Sequence, residues 1–357
     1  MIKYERQMSK LPRKNDTTKN NMKKGEHSIM IKVDLITGFL GSGKTTFIKY
    51  YVQYLIQKGE KIGIIENDYG AINVDMLLLS QEFGDQCGME MVVASDPDCH
   101  RRRFKTKLIA MGMEGYDRVI VEPSGIYDVD EFFDILYEEP LDRWYTIGNV
   151  IAIVDAKLEQ KMSKESDYLL VSQIAEAGKV IFSKTGDATL SDFENTIQHM
   201  NNALTQFQCR RQYHFPNINS ETNDVLLKPW ETLSDADFEQ IESCGYVPED
   251  HIKMMVTSGN NYRSLFFFHV KMSEDDIKDT VNELFLDPSY GHIYRIKGFV
   301  PKTEDCWIQL NATANRIDIV STPVGQEVII VIGENLMQDK IAECITKRSD
   351  NKEITIG

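Results

Sequence analysis

Long apolar stretches are what this chain of 357 residues most conspicuously lacks. No run approaches the roughly 18–20 residues needed to cross a bilayer, so no membrane span is expected. No short apolar core near the N-terminus suggests a secretory signal either. The six cysteines (Cys87, Cys99, Cys209, Cys244, Cys306 and Cys344) are widely scattered. That spacing excludes a disulfide framework and predicts a reducing, cytoplasmic setting. Positive charge is also short, with 40 Lys and Arg against 55 Asp and Glu and a net charge of −15, which argues against nucleic acid as the main partner. His251, His269 and His292 stand isolated and read as structural or surface residues.

The basic residues are unevenly spread. Residues 1–30 hold eight Lys or Arg and three Asp or Glu, a net of +5, which leaves the rest of the chain at −20. This polar segment has little to bury. It reads as a disordered basic tail or as sequence upstream of a start at Met30, with a targeting or anionic-surface role as the alternative.

What is present is a phosphate-binding loop. Residues 38–45 read Gly38-Phe39-Leu40-Gly41-Ser42-Gly43-Lys44-Thr45, a complete G-x-x-x-x-G-K-[ST] motif. An alternating apolar run, residues 31–36, precedes it as a strand. Residues 46–52 continue from it as a helix. Successive N–H groups of such a loop form a concave nest, and the helix N-terminus adds partial positive charge. Lys44 supplies charge to the β- and γ-phosphates, Thr45 offers a hydroxyl to Mg²⁺, and Gly38, Gly41, Ser42, Gly43 and Thr46 complete the cradle. The chain is therefore expected to bind a nucleoside triphosphate.

Further apolar strands are expected at residues 61–68, 89–94, 118–122, 149–155 and 179–184, alternating with helical segments. That alternation predicts an α/β fold, a P-loop NTPase parallel sheet with helices on both faces. Ligands of such sheets sit at the carboxyl ends of strands, where the loop, Glu66, Glu122, Asp155 and Ser183 all fall. From about residue 251 the pattern changes to strands near 264–270, 292–300, 307–312, 316–321 and 327–332, with helices near 273–286 and 337–345. This predicts a smaller α+β domain with a mainly antiparallel sheet. The expected organisation is a tail over 1–30, a P-loop NTPase domain over 31–215, a connecting region over 216–250 and a C-terminal α+β domain over 251–357.

Glu122-Pro123-Ser124-Gly125 follows a buried-type strand about 80 residues after the loop. A carboxylate there can hold Mg²⁺ through water, and Gly125 can offer its N–H to the γ-phosphate, a contact that exists only with triphosphate bound. With this element in place the chain resembles the CobW-type family of metallochaperone GTPases. The matching stretches are Thr37 through Thr46, Glu66-Asn67-Asp68-Tyr69-Gly70 with Asp75 beyond, Glu122 through Gly125, residues 151–156, Gln173-Ile174-Ala175, and Tyr294-Arg295-Ile296-Lys297-Gly298-Phe299. The resemblance spans about residues 31–350. It implies GTP and Mg²⁺ as ligands, transition-metal delivery coupled to GTP hydrolysis, and a client such as a metalloenzyme or corrinoid protein.

The chain departs from the family pattern twice. The family's C-x-C-C metal motif is replaced by Ser95-Asp96-Pro97-Asp98-Cys99-His100-Arg101-Arg102-Arg103. Cys99 and His100 remain as soft donors suited to Zn²⁺ or Co²⁺, with Cys87, Asp96 or Asp98 to complete a site; the other readings are a solvated loop without metal, or arginines that recognise an anion. The family's guanine-reading N-K-x-D becomes Ser183-Lys184-Thr185-Gly186, with Asp187 displaced by one position. Lys184 can still pack along a base, and GTP is the favoured nucleotide, although a lost hydrogen bond to guanine would erode selectivity over ATP.

Glu66 and Asp68 are read either as positioning Mg²⁺ and the attacking water or as capping a turn. Asp75 belongs to the switch region or caps a helix, and Asp155 reads as structural. The aromatic run 266–268 reads as strand core. The functional expectation is a Mg²⁺-dependent GTPase with Lys44, Glu66 and Glu122 in the catalytic set. Intrinsic turnover should be slow, since no arginine finger is fixed by the sequence and Arg101, Arg102 and Arg103 are its speculative candidates. A nucleotide-binding switch with little hydrolysis and a small-molecule kinase are the rivals.

Overall fold

The computed structural model describes residues 30–67, 74–92, 97–125, 127, 129–216, 223–254, 262–303 and 305–356. The expected basic tail before Met30, Asp68, Tyr69, Gly70, Asp96 and the side chains of Asn67 and Asp98 lie outside that description.

The apolar runs of the first half form β1 (Ile31–Thr37), β2 (Ile62–Asn67), β3 (Gly88–Val92), β4 (Arg118–Pro123), β5 (Tyr145–Asp155), β6 (Lys179–Ser183) and β7 (Val225–Leu226). They make one seven-stranded sheet in the order β3-β2-β4-β1-β5-β6-β7, parallel at every pairing. Helices α1 (Lys44–Gln57), α2 (Val74–Phe83), α3 (Pro97–Glu114), α4 (Val129–Leu136), α5 (Leu141–Trp144), α6 (Lys164–Ile174), α7 (Leu190–Gln206) and α8 (Asp235–Glu242) surround it. Alternate residues of each strand feed two cores. Val33, Leu35, Val150 and Ala152 join one face with residues of α3, α4, α6 and α7. Ile36, Ile64, Ile151 and Ile153 join the other with Phe47, Leu79, Phe238 and Ile241 of α1, α2 and α8. Burial on both faces is why these strands read as continuous apolar runs rather than alternating ones.

The segment expected to be a connection, 216–250, does more than connect. Its β7 pairs with β6 as the last strand of the sheet, and α8 opens on a Ser234/Asp237 capping box. A two-residue strand leaves almost no periodic signal, which is why sequence reading missed it.

A single charged cluster pins the sheet from within. Asp34, fully buried in β1, accepts hydrogen bonds from Tyr51 (2.8 Å), Arg118 (2.6 Å) and the backbone N–H of Asn149 (2.8 Å). Arg118, also fully buried, reaches Glu60 at 2.8 Å and Glu242 at 3.1 Å. The cluster thereby ties β1, β4, β5, α1 and α8 together.

The second half forms β8 (Tyr262–Phe268), α9 (Glu274–Leu286), β9 (His292–Thr303), β10 (Cys306–Thr313), β11 (Arg316–Thr322), β12 (Val328–Glu334), α10 (Gln338–Arg348) and β13 (Thr355–Ile356). Its six strands lie in the order β11-β10-β9-β12-β8-β13, antiparallel throughout. One face packs on α9 and α10 through Phe267, Ile296, Val300, Ile277 and Ile341. The other face, with Phe299, Val328, Ile330, Phe266 and Phe268, packs on Val74, Leu77 and Leu78 of α2. The run Phe266-Phe267-Phe268 is thus strand core on both faces, as expected. A polar latch adds to this contact, since Ser166 at the start of α6 bonds Tyr294 (2.8 Å) and Glu334 (2.6 Å). No described helix is long and apolar enough to cross a membrane.

Candidate nucleotide site

The loop that follows β1 sits at the carboxyl edge of the first sheet, where β1 is flanked by β4 on one side and β5 on the other. This is the crevice in which ligands of such sheets bind. The loop's shape depends on glycine. At Gly38 (φ +148°) a Cβ would stand 2.3 Å from the Ile153 carbonyl oxygen, and Gly43 caps α1 in the left-handed region at φ +97° with Trp230 against it. The first turn of α1 carries no acidic residue, so its N-terminal partial charge is not neutralised from within the helix.

Lys44 folds back to donate to the Gly38 carbonyl at 2.9 Å, and the Thr45 hydroxyl donates to Glu122 Oε1 at 2.8 Å. All three of Lys44, Thr45 and Glu122 are buried. The other carboxylate oxygen of Glu122, and the Thr37 and Ser42 hydroxyls, have no hydrogen-bond partner among the described residues. Burial pushes the Glu122 carboxyl up to about 7, with the Asp75 charge adding to it while Lys44 and the Thr45 hydrogen bond pull back. Burial likewise lowers the Lys44 ammonium; Glu122 and Asp75 oppose this, and Arg295 and Lys297 reinforce it.

A cavity of about 450 Å³ opens over this edge, within the usual size of a small-molecule site. Gly41, Gly43, Lys44, Thr45, Thr46, Glu122, Ser183, Lys184 and Asp187 line it, which brings most of the expected site residues together. Gly38, Ser42, Glu66 and Gly125 do not line it. Glu66 pairs in register with Glu122 on the neighbouring strand. Gly125 packs on the loop so closely that a Cβ would lie 2.7 Å from the Leu40 nitrogen, and its carbonyl accepts from Gln173 at 2.8 Å. Where the sequence reading puts the base, Ser183 is buried at the end of β6 beside Asp155 of β5, Lys184 adopts φ +54° and pairs with Asp155 at 2.6 Å, and Asp187 is exposed in a single 3-10 turn.

Sequence reasoning missed the opposite wall. The second sheet supplies Arg295 and Lys297 from β9, Gln309 and Asn311 from β10, and Arg316 and Asp318 from β11, and Trp230 adds an aromatic edge. The signal that pointed there was the pair of cations at i and i+2 in the otherwise apolar strand β9, which places both on one face. Asp75, read as switch or cap, stands in the first turn of α2 and does something more specific. It accepts from Lys297 at 2.7 Å and from Arg295 at 3.3 Å, joining the two halves of the chain. Burial pushes its carboxyl upward, but Lys297 and Arg295 outweigh that and hold it well below the usual carboxylate range.

Arg101, Arg102 and Arg103 do not line the cavity, and Arg101 pairs with Glu138 at 2.6 Å instead. Cys99 and His100 lie in the first turns of α3, with His100 buried beside Tyr127. Among the described residues no three of His, Cys, Asp and Glu gather as a metal site.

The description "CobW/HypB/UreG, nucleotide-binding domain" matches residues 32–215. Among curated proteins, the zinc chaperone YjiA of Escherichia coli is 30% identical over 165 residues, covering 43% of this chain and 49% of that protein. The zinc-regulated GTPase metalloprotein activator 1 of Dictyostelium discoideum is 30% identical over 173 residues, covering 41% of this chain and 36% of the relative. The chain thus spans about half, or less, of the length of these curated relatives. Of solved structures, Zn(II)-bound YjiA GTPase from E. coli aligns over 90% of this chain and 99% of its own, at 17% identity and a TM-score of 0.33. The family match covers just over half of the sequence and includes the loop, Glu122 and the whole first sheet except β7, so the chain belongs to the CobW/HypB/UreG family of nucleotide-binding proteins.

Proposed function

We propose that this protein is a Mg²⁺-dependent nucleoside triphosphatase that uses GTP and couples its hydrolysis to delivery of a transition metal, Zn²⁺ or Co²⁺, to a client metalloprotein or corrinoid protein. The single observation that carries the triphosphatase reading is the buried Lys44–Thr45–Glu122 constellation beneath the loop at the sheet's carboxyl edge. The metal-delivery reading rests on the family and on the names its zinc-chaperone relatives bear.

A divalent cation fits the residues present. The Thr45 hydroxyl and the Glu122 carboxylate are hard oxygen donors, and the second Glu122 oxygen is buried without a partner among the described residues. Mg²⁺ is commonly held by one or two such groups together with phosphate and water. When bound, it would neutralise charge on the β- and γ-phosphate oxygens. Lys44 and the loop N–H groups would hold the β- and γ-phosphates in place, with Gly43, Thr45 and Thr46 at the start of α1. Gly125, packed on Leu40, would register the γ-phosphate through its backbone. Glu66 and Glu122 are the carboxylates assigned to water and cation positioning. Ser183, Lys184 and Asp187 would meet the base.

The transition metal is cargo rather than a resident cofactor. Cys99 and His100 would offer it two soft donors, enough for hand-over and too few for tight residence.

Phosphate release from the purified chain, with GTP or ATP, with and without Mg²⁺, and against a Lys44→Ala control, tests the enzyme. Mg²⁺-dependent release from GTP that Lys44→Ala abolishes is the expected result. Release no faster than the control leaves a binding switch, and transfer to a metabolite identifies a kinase. Equal affinity for GTP and ATP, with no change on adding Zn²⁺ or Co²⁺, would overturn the metal-delivery reading.

A further inference from the structure

The phosphate end of the cavity holds five buried or nearly buried charged groups from three places in the chain. Lys44 and Glu122 come from the first sheet and its loop, Asp75 from α2, and Arg295 and Lys297 from β9. Lys297 is 3% exposed and Asp75 5%. Lys44, Arg295 and Lys297 thus converge with Asp75 and Glu122 on one end of the cavity. Cations that converge on a cavity beside a phosphate-binding loop are the chemistry that recognises a polyanion.

The second sheet also lies against the loop that would hold the phosphates. Thr313 and the Arg295 side chain lie 2.8 and 3.9 Å from the Cβ position of Gly41, and Phe39 packs edge-on against Tyr294 at 5.1 Å. Arg295 is aimed as well as placed, because its Nε donates to Asn311 at 3.0 Å while Nη2 donates to Asp75 at 3.3 Å. A guanidinium fixed at one nitrogen presents the others in a set plane, which suits phosphate oxygens.

We propose that Arg295 and Lys297 are cations the chain supplies to its own γ-phosphate, and that Asp75 holds them until a bound triphosphate takes its place. The inference rests on the triphosphatase reading and assigns its missing charge-stabilising group. In the step, water oxygen forms a bond to the γ-phosphorus. The bond from that phosphorus to the β–γ bridging oxygen breaks, and its electron pair stays on the nucleoside diphosphate. The water proton leaves with the inorganic phosphate. Arg295 and Lys297 stabilise the negative charge that this redistributes over the phosphoryl and bridging oxygens. After hydrolysis the cations return to Asp75, and α2 is drawn back to β9. The γ-phosphate and Asp75 therefore compete for the same two cations, and the contact between α2 and the second sheet follows the nucleotide state.

The test uses the purified full chain and four variants, Arg295→Ala, Arg295→Lys, Lys297→Met and Asp75→Asn. Affinities for GDP and for a non-hydrolysable GTP analogue are measured beside single-turnover GTP hydrolysis, all with Mg²⁺. Arg295→Ala is expected to slow hydrolysis by about 100-fold or more and to leave GDP affinity within about twofold, with partial rescue by free guanidinium. Lys297→Met is expected to weaken the analogue by about tenfold and GDP little. Asp75→Asn is expected to tighten the analogue several-fold without changing GDP, because the competing carboxylate charge is gone. Arg295→Lys keeps charge and bulk, so it decides the matter if the alanine variant does not fold; a rate loss of about tenfold or more is expected, since an ammonium lacks the planar fork. Hydrolysis by Arg295→Lys within about threefold of the parent would overturn the inference, as would equal losses of GDP and analogue affinity across the set. A parent protein that releases no phosphate overturns the triphosphatase reading and this inference with it. An active parent with unaffected Arg295 variants overturns this inference alone.

Discussion

Glu122 offers the sharpest test of the site's electrostatics, through the replacement Glu122→Gln. The side chain is 4% exposed, keeps its Thr45 hydrogen bond at one oxygen and has no partner among the described residues at the other. Burial, reinforced by Asp75, raises its carboxyl from the usual 4.5 to about 7 in the nucleotide-free protein. In the unfolded chain the same group ionises near its usual value. Between about pH 4.5 and 7 the folded state therefore binds more protons than the unfolded state, and Glu122 subtracts stability progressively as pH rises through that window. Above about 7 the penalty is complete, up to about 3 kcal/mol if the whole shift is realised. Glutamine keeps the shape and cannot ionise. In metal-free buffer, Glu122→Gln should be more stable than the parent at pH 8, and the gap should close at pH 4.5. Thermal or urea unfolding at the two pH values measures it. Adding Mg²⁺ and a GTP analogue should reverse the order, because the ionised carboxylate then has its counter-charge and the amide does not. The same offset at both pH values, or a parent that is the more stable at pH 8 without metal, would refute the assignment of Glu122 as a buried carboxylate awaiting a cation.

Three further outcomes follow from the geometry. Gly186 stands where the family's guanine-reading aspartate would sit, and a Cβ there meets nothing within 4 Å, so Gly186→Asp should fit and raise the preference for GTP over ATP about tenfold or more, read from paired affinity titrations. Gly125→Ala should depress triphosphate binding while leaving the protein folded, because the added Cβ would stand 2.7 Å from the Leu40 nitrogen and push the loop away. Asp34→Ala should cost about 3–5 kcal/mol in an unfolding titration by stranding the buried Arg118 charge, whereas Asp34→Ala with Arg118→Met should lose clearly less, since Glu60 and Glu242 keep some access to solvent.

The phosphate end of the cavity was legible because its determinants are local. Eight consecutive residues specify the loop, and the preceding strand is a short apolar run alternating with Lys32 and Asp34. Glu122 needed one long-range step, and its position at a strand end gave it away. Asp75 could be recognised as significant and not as what it is, because its partners lie 220 and 222 residues further on and only packing of α2 on the second sheet brings them together. Arg295 and Lys297 could be seen as charges sharing a strand face. Their destination could not, since nothing in a strand's period says which other element covers that face. Arg101, Arg102 and Arg103 misled for the converse reason. Three adjacent arginines suggest a site, yet consecutive residues of a helix point in different directions, and the one whose ion pair is described, Arg101, binds a surface carboxylate.

The two ends of the cavity depend differently on the second sheet, and that difference bears on how the molecule transmits a signal. Lys44 and Thr45 bond to Gly38 and Glu122 within the first half, while Phe39 of the loop also packs on Tyr294 of the second sheet. The wall that closes over them is carried on β9, β10 and β11, and it is joined to the first half by the apolar face of α2, by Asp75 and by the Ser166–Tyr294–Glu334 latch. A triphosphate that recruits Arg295 and Lys297 must alter the Asp75 contact while the apolar face of α2 holds the sheet close. Linkage requires the reverse as well: whatever binds so as to separate the second sheet from α2 must change triphosphate affinity by the same free energy with which triphosphate changes its own binding. A client that docks on the second sheet therefore needs no contact with the nucleotide to control its retention. It needs only to bind the two arrangements of β9 against α2 unequally.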